Sequence, residues 1–129
     1  MNADDFNNKF KEINGYDYHN NIVFDEVSED EVVAHVDALD ISLNPWGIMH
    51  GGLIFGLADI AIGTLCYMNK IEGVTIDSNI NYLKPCKNKA KAIAKKIKIG
   101  KRISLFYAEI YNEKDELSAV VSMNYCSKN

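Results

Sequence analysis

The chain has little of what marks specialised architectures. Only 2 prolines and 8 glycines occur in 129 residues, which excludes collagen-like and low-complexity chains. Its 3 cysteines, Cys66, Cys86 and Cys126, form an odd, widely spaced set without a C-x-x-C pair. None of His19, His35 or His50 lies near them in sequence. No metal site is therefore expected, and reduced thiols in a cytoplasmic protein are. The opening MNADDFNNKFKEINGY is polar and acidic rather than charged-then-apolar, so no secretion signal is expected. Arginine occurs once, at Arg102, and the formal charge is −4 from 14 basic and 18 acidic residues, which argues against a nucleic-acid partner. Long apolar runs are scarce as well. The one present, residues 51–68, carries Asp59 as its only acidic or basic residue. A carboxylate at mid-bilayer costs several kcal/mol and no second run exists, so the buried helix of a compact fold is expected rather than a membrane span.

What is there is ordinary globular material, 47% apolar and 25% charged, and it reads as a single domain over residues 1–129. Phe6, Phe10 and Ile13 recur at helical spacing up to Gly15. Strands are expected over 21–28 and 31–39, with Ser28-Glu29-Asp30 as the turn, followed by a loop broken at Asn44-Pro45 and Gly47. After the helix at 51–68, strands are expected at 73–83, 89–99, 103–112 and 116–126. In the first of these Val74, Ile76, Ile80 and Tyr82 share one face by alternation, and Thr75 lies on the other. In 89–99 the alanines and isoleucines alternate out of phase, which predicts a bulge or burial on both faces. The order is α+β, one long helix packed on a mostly antiparallel sheet.

Three features can carry chemistry. Asp59 sits in an apolar helix, where a carboxylate must be hydrogen-bonded, paired, protonated or near water. Its helix face holds Gly52, Phe55, Gly56, Ile62, Gly63 and Cys66. Glycine costs about 1 kcal/mol inside a helix, so the three glycines predict close approach of some other group. A structural hydrogen-bonding role and a catalytic one both fit Asp59. Second, His50-Gly51-Gly52 opens the helix, leaving free N–H groups suited to a carbonyl that gains negative charge. His50 reads as a capping residue or as a catalyst. Third, 9 basic residues and no acid lie between Lys84 and Arg102, which fits a solvated strand face, a guarded sheet edge or attraction for the phosphates of a ligand. Bulky Trp46, Phe55 and Tyr82 are candidates for a pocket wall or for plain core.

Geometry links the first two. Gly51 and Asp59 are eight residues apart, about 12 Å along a helix axis. Contacts to one reacting atom are near 3 Å. If both act on the same carbonyl they come from two subunits, so the enzyme reading predicts a dimer with its site at the interface.

Taken together, NPWGIMHGGLIFGLAD, GVTIDSNINYLKP and IGKRISLFYAEIYNEKDELSA resemble the hot-dog-fold acyl-CoA thioesterases, nearest the phenylacetate-degradation (PaaI-type) branch, over about residues 15 to 126. The N-x-x-G-x-x-H-G-G run followed by Asp is the most specific part. The resemblance implies a sheet wrapped around a central helix, and Asp59 as general base for water or nucleophile on the thioester. It also implies Gly51 as the amide that polarises the carbonyl, Asn44 and His50 as residues shaping the site, and Thr75 as a hydroxyl holding the attacking water. Gly100, Lys101 and Arg102 match a turn near bound coenzyme A. Gly52, with its free amide, and Lys84, at the head of the basic stretch, join them as substrate-binding candidates. Departures fall at Lys96, where relatives carry an apolar residue, and at Val121, where a glycine is common.

The leading expectation is a cytoplasmic acyl-CoA thioesterase acting as a homodimer or dimer of dimers. Coenzyme A enters as part of the substrate and no metal or redox cofactor is needed. The rivals are a hot-dog protein that binds acyl-CoA without hydrolysis and, ranked lowest because no histidine lies inside the helix, a dehydratase or hydratase.

Overall fold

The computed structural model describes residues 1–128. Helix α1 (Ala3–Ile13) begins at Asn2, whose side chain accepts the Asp5 N–H at 3.0 Å while the Asp5 carboxylate accepts the Asn2 N–H at 2.8 Å. This reciprocal cap, with Asp4 and Asp5 at the positive end of the helix, explains why a polar segment folds there. Phe6 is buried and Phe10 half-buried, but Ile13 is exposed, because the chain leaves the helix at Asn14 in a left-handed conformation. A second helix, α2 (Tyr16–His19), follows at once. It was not expected, since four residues are too few to display a period.

Strands β1 (Ile22–Val27) and β2 (Glu31–Asp37) form a hairpin in which the Ser28 hydroxyl accepts the amides of Asp30 and Glu31 at 3.2 and 3.1 Å. Then come α3 (Gly51–Met68), β3 (Gly73–Tyr82), β4 (Lys89–Lys98), β5 (Ile103–Asn112) and β6 (Leu117–Ser127). The expected helix at 51–68 keeps its bounds, and each expected strand lies within two residues of an observed one. The six strands form one antiparallel sheet in the order β1-β2-β4-β5-β6-β3. Helix α3 lies across one face of it.

Alanines bring the two layers together. Ala34, Ala90, Ala92, Ala94, Ala108 and Ala119 are all fully buried on the helix side, opposite Leu57, Ala58, Ala61, Ile62 and Leu65 of α3. Small sheet residues let the helix sink its large ones, which is how an 18-residue helix apolar enough to cross a membrane becomes a core helix instead. The sheet encloses the helix in the manner of the expected hot-dog fold.

Two bulges set which side chains face α3. In β4 the register skips between Lys96 and Lys98, so Ile97 turns outward, as the mixed phase foreshadowed. In β3 it skips between Thr75 and Asp77. Thr75 pairs with Tyr125 on the helix side before the bulge, and Ile80 pairs with the buried Val121 after it. The expected common face of Val74, Ile76, Ile80 and Tyr82 is therefore wrong: Val74 and Ile76 are 61% and 54% exposed. Lys96 has a local reason. Its ammonium bonds the Asn69 side chain at 3.1 Å at the C-terminus of α3, where a cation meets the negative end of the helix. Val121, in place of a glycine, fills core beside Ala108.

The two sheet edges differ. At β1 the Asn7 side chain donates to the Phe24 carbonyl at 3.0 Å and accepts its N–H at 2.8 Å, closing the edge and fixing α1 against it. At the other edge β3 pairs with β6 alone and presents exposed Val74 and Ile76.

Candidate active site

The loop before α3 is shaped by Asn44. Its side-chain oxygen accepts the amides of Trp46 and Ile48 at 2.9 and 3.3 Å, and its own backbone N–H donates to the Ile48 carbonyl at 2.8 Å. The Met49 N–H donates to the Cys86 carbonyl and the His50 N–H to that of Ser42, each at 2.8 Å, anchoring the helix start from both sides. His50 occupies the cap position, yet its exposed side chain makes no capping bond. The first α3 amides with acceptors are those of Leu53 and Ile54, which reach the His50 carbonyl. The Gly51 and Gly52 amides have none among the described residues, so the positive end of an 18-residue helix presents two free donors.

Gly51 borders a cleft of about 390 Å³ lined also by Asn44, Met49, Ile54, Tyr82 and Lys84, among others. Tyr82 donates its hydroxyl to the Gly51 carbonyl at 2.7 Å, locking the first helical residue. Lys84 reaches the cleft with its charge engaged by Glu116 at 2.7 Å. Nothing lies within 4 Å of where a Gly52 side chain would start, so a ligand can approach the backbone there. Of the bulky candidates, Trp46 is 83% exposed and stands apart from the core, whereas Tyr82 belongs to this cleft.

Asp59 belongs to a different cleft, of about 340 Å³, reaching between α3 and α1. Burial raises its carboxyl above the ordinary range. The approach foretold by the glycine stripe is made by tyrosines. A Cβ on Gly56 would stand 2.8 Å from the Tyr16 hydroxyl, and one on Gly63 would stand 3.2 Å from that of Tyr125. These notches lie one turn before and one turn after Asp59, so a phenol flanks the carboxylate on either side. Next to Tyr16, Asp17 is raised by its burial and by the charge of Asp59. Tyr125 is raised by burial, while a hydrogen bond from its cross-strand partner Thr75 acts the other way. Thr75 thus reaches the Asp59 neighbourhood through Tyr125. Cys66, one turn beyond Gly63, is pushed up to about 12 by burial and by Asp59, which leaves it without nucleophilic character. The tyrosines and Asp17 escaped the sequence reading because they come from other elements; the glycines signalled contact but not its partner.

The turn at Gly100, Lys101 and Arg102 joins β4 to β5. The Gly100 N–H donates to the Ser104 hydroxyl at 3.1 Å, and a side chain there would collide with the Ile103 carbonyl, so glycine is required. The Arg102 carbonyl accepts the Ser127 N–H at 2.7 Å, which sets the turn beside the end of β6, near Tyr125. Lys101 and Arg102 are exposed and make no ion pair among the described residues. The basic stretch as a whole is not one face: Lys91 and Lys95 point away from the helix, Lys96 caps it, and Lys84 is paired.

One chain therefore holds two separate clusters of candidate residues. Asn44, His50, Gly51, Gly52 and Lys84 gather at the start of α3; Asp59 and Thr75, with the 100–102 turn nearby, gather farther along it. The two clefts share no lining residue.

Comparison with known proteins agrees with this architecture. The family model of the thioesterase superfamily matches residues 47–119, more than half of the chain. The crystal structure of a Haemophilus influenzae thioesterase superposes with a TM-score of 0.88 at 26% identity, covering 100% of this chain and 92% of that one. The 1,4-dihydroxy-2-naphthoyl-CoA hydrolase of Escherichia coli is 25% identical over 100 residues, 74% of each chain. A Streptococcus pneumoniae hypothetical thioesterase protein solved with coenzyme A superposes at 0.83 with 24% identity, covering 98% of this chain and 97% of that one.

Proposed function

The chain belongs to the thioesterase superfamily, and on that footing we propose that it hydrolyses acyl-coenzyme A at a site shared between two copies. The Gly51 N–H, with that of Gly52 beside it, polarises the thioester carbonyl and holds the oxyanion that forms on it. Asp59 of the facing copy takes a proton from water as the water oxygen bonds to the carbonyl carbon. The tetrahedral intermediate then collapses, the carbon–sulfur bond breaks, and the departing thiolate recovers the proton from Asp59. Free acid and coenzyme A leave. Thr75, linked to Tyr125, orients the water. The exposed cations of Lys101 and Arg102, with Lys84, attract the phosphates of coenzyme A.

The observation that carries this reading is the separation of two complementary groups on one helix: unpaired amides at its start and a half-buried carboxylate about 12 Å along it. Each is idle alone, and each is what the other lacks. A carboxyl raised by burial makes a stronger base than a free carboxylate once ionised. The uncovered β3 edge, with exposed Val74 and Ile76 beside it, supplies a surface on which a second copy can pair. The named activity of the Escherichia coli relative supports a coenzyme A thioester as substrate.

The test is thiol release from acyl-CoA, aryl-acyl-CoA and acyl-carrier-protein thioesters by the wild type and Asp59→Asn. Release by the wild type and a loss of at least a hundredfold in the variant are expected, the lower end of what a general base contributes (about 10²–10⁴-fold). Equal rates would remove Asp59 from the mechanism. Binding without release would favour the non-hydrolytic alternative.

A further inference from the structure

The cleft beside Asp59 is larger than the chemistry at a carbonyl requires. It follows one face of α3, on which Asp59, Gly63 and Tyr67 stand four residues apart, so it extends about 12 Å from the carboxylate to the tyrosine. Ile60, Gly63 and Thr64 line it along the helix, and Phe6 and Phe10 of α1 form a wall. That wall is held in place: the two bonds from Asn7 to Phe24 fix the height of α1 on the sheet, and Phe6 and Phe10 both pack on the Phe24 ring, with centroids 5.6 and 5.3 Å away.

One side chain stands at the far end. The Tyr67 ring meets Phe6 edge-on at 5.8 Å, and its hydroxyl lies 3.7 Å from the Met1 sulfur. Tyr67 also borders a second cavity, of about 580 Å³, with Met1, Met68 and Ile71 as apolar neighbours. Among the described residues it is the only one that lines both. The ring is the partition between them.

We propose that Tyr67 sets the length of the acyl group, which runs from the thioester at Asp59 along α3, under Phe6 and Phe10, and stops against this ring. The inference rests on the thioesterase reading and adds the substrate class: apolar acyl groups of medium length. An extended alkyl chain with bonds of about 1.52 Å advances about 1.25 Å per carbon, so about 12 Å accommodates eight to ten carbons. Removing the ring joins the two cavities and lets a longer chain pass.

The experiment measures kcat/KM by thiol release for straight-chain acyl-CoA esters from acetyl to hexadecanoyl, with wild type, Tyr67→Ala and Tyr67→Phe. The wild type should peak at octanoyl to decanoyl and fall for hexadecanoyl. Tyr67→Ala should raise the hexadecanoyl-to-octanoyl ratio at least tenfold, the scale on which apolar pockets discriminate by a methylene or two (about 10–200-fold each). Tyr67→Phe keeps the partition and should keep the wild-type profile. Because Tyr67 is 55% exposed, the alanine variant should fold. If release occurs and Tyr67→Ala leaves the profile unchanged, the partition is refuted while the thioesterase reading stands. If no ester is cleaved by the wild type, that reading falls and the inference with it.

Discussion

The division of the site between two copies can be tested by mixing two variants that are each inactive. One is Asp59→Asn. The other is Gly51→Pro, which deletes the amide at the start of α3. The structure favours tolerance of this proline. The Gly51 N–H has no acceptor to lose, proline suits the first position of a helix, and His50 at φ −55° and ψ 133° already has the extended conformation that precedes proline. The one crowded neighbour is the Tyr82 hydroxyl, 3.1 Å from the new Cβ, on a side chain 51% exposed that can yield at the cost of its bond to the Gly51 carbonyl. Loss of an oxyanion donor costs about 10²–10³ in kcat, and loss of a general base about 10²–10⁴, so each homodimer should fall at least a hundredfold. In a mixed dimer one site receives both substitutions and is dead. The other pairs the intact Gly51 of one copy with the intact Asp59 of its partner. Random assortment makes half of the dimers mixed, each with one working site of two, so an equimolar co-refolded mixture should regain about a quarter of wild-type activity. The assay is thiol release, with native mass spectrometry to count mixed dimers. If these form and activity stays at the level of the parents, Gly51 and Asp59 do not meet across an interface and the reasoning from the helix rise is refuted.

The raised carboxyl of Asp59 has two consequences. As a base it must be ionised, so kcat/KM should fall on the acid side at a pH above the ordinary carboxylate range; a limb at the usual aspartate value would contradict the burial. In the folded state Asp59 holds its proton to higher pH than when unfolded, so its contribution to stability declines as pH rises through that window. Asp59→Asn should therefore raise Tm at neutral pH, by an amount that shrinks to nothing as the pH falls below the unfolded carboxylate value; a Tm difference independent of pH would count against this. Asn7→Ala removes both bonds to Phe24 and should cost about 1–2 kcal/mol, read as a lower urea midpoint at unchanged slope. An unchanged midpoint would mean that α1 does not depend on Asn7.

Legibility varied with how local each signal was. Helix α3 was readable to its end residues because its apolar run starts at a glycine pair and stops at Asn69, with no competing pattern. Strands were readable, but the facing of β3 was not, since a single extra residue between Thr75 and Asp77 reverses the alternation and leaves no mark in the sequence. The same bulge turns Thr75 toward α3 and makes its assignment beside Asp59 intelligible. Asn44 was expected at the site; its observed bonds go to the loop that shapes the site. Helix α2, which carries Tyr16 and Asp17 to Asp59, was too short to show a period.

By itself the sequence determined the α+β class, the central helix with its lone carboxylate, the glycine-opened helix start, and the eight-residue spacing between them. These follow from covalent spacing and solvation, which act within a few turns of chain. The tertiary structure alone decided which groups fill the glycine notches, which face of β3 meets the helix, and that Tyr67 borders two clefts. Those outcomes depend on contacts between residues far apart in the chain, such as Tyr125 on Gly63 and Met1 on Tyr67, and only packing brings such pairs together.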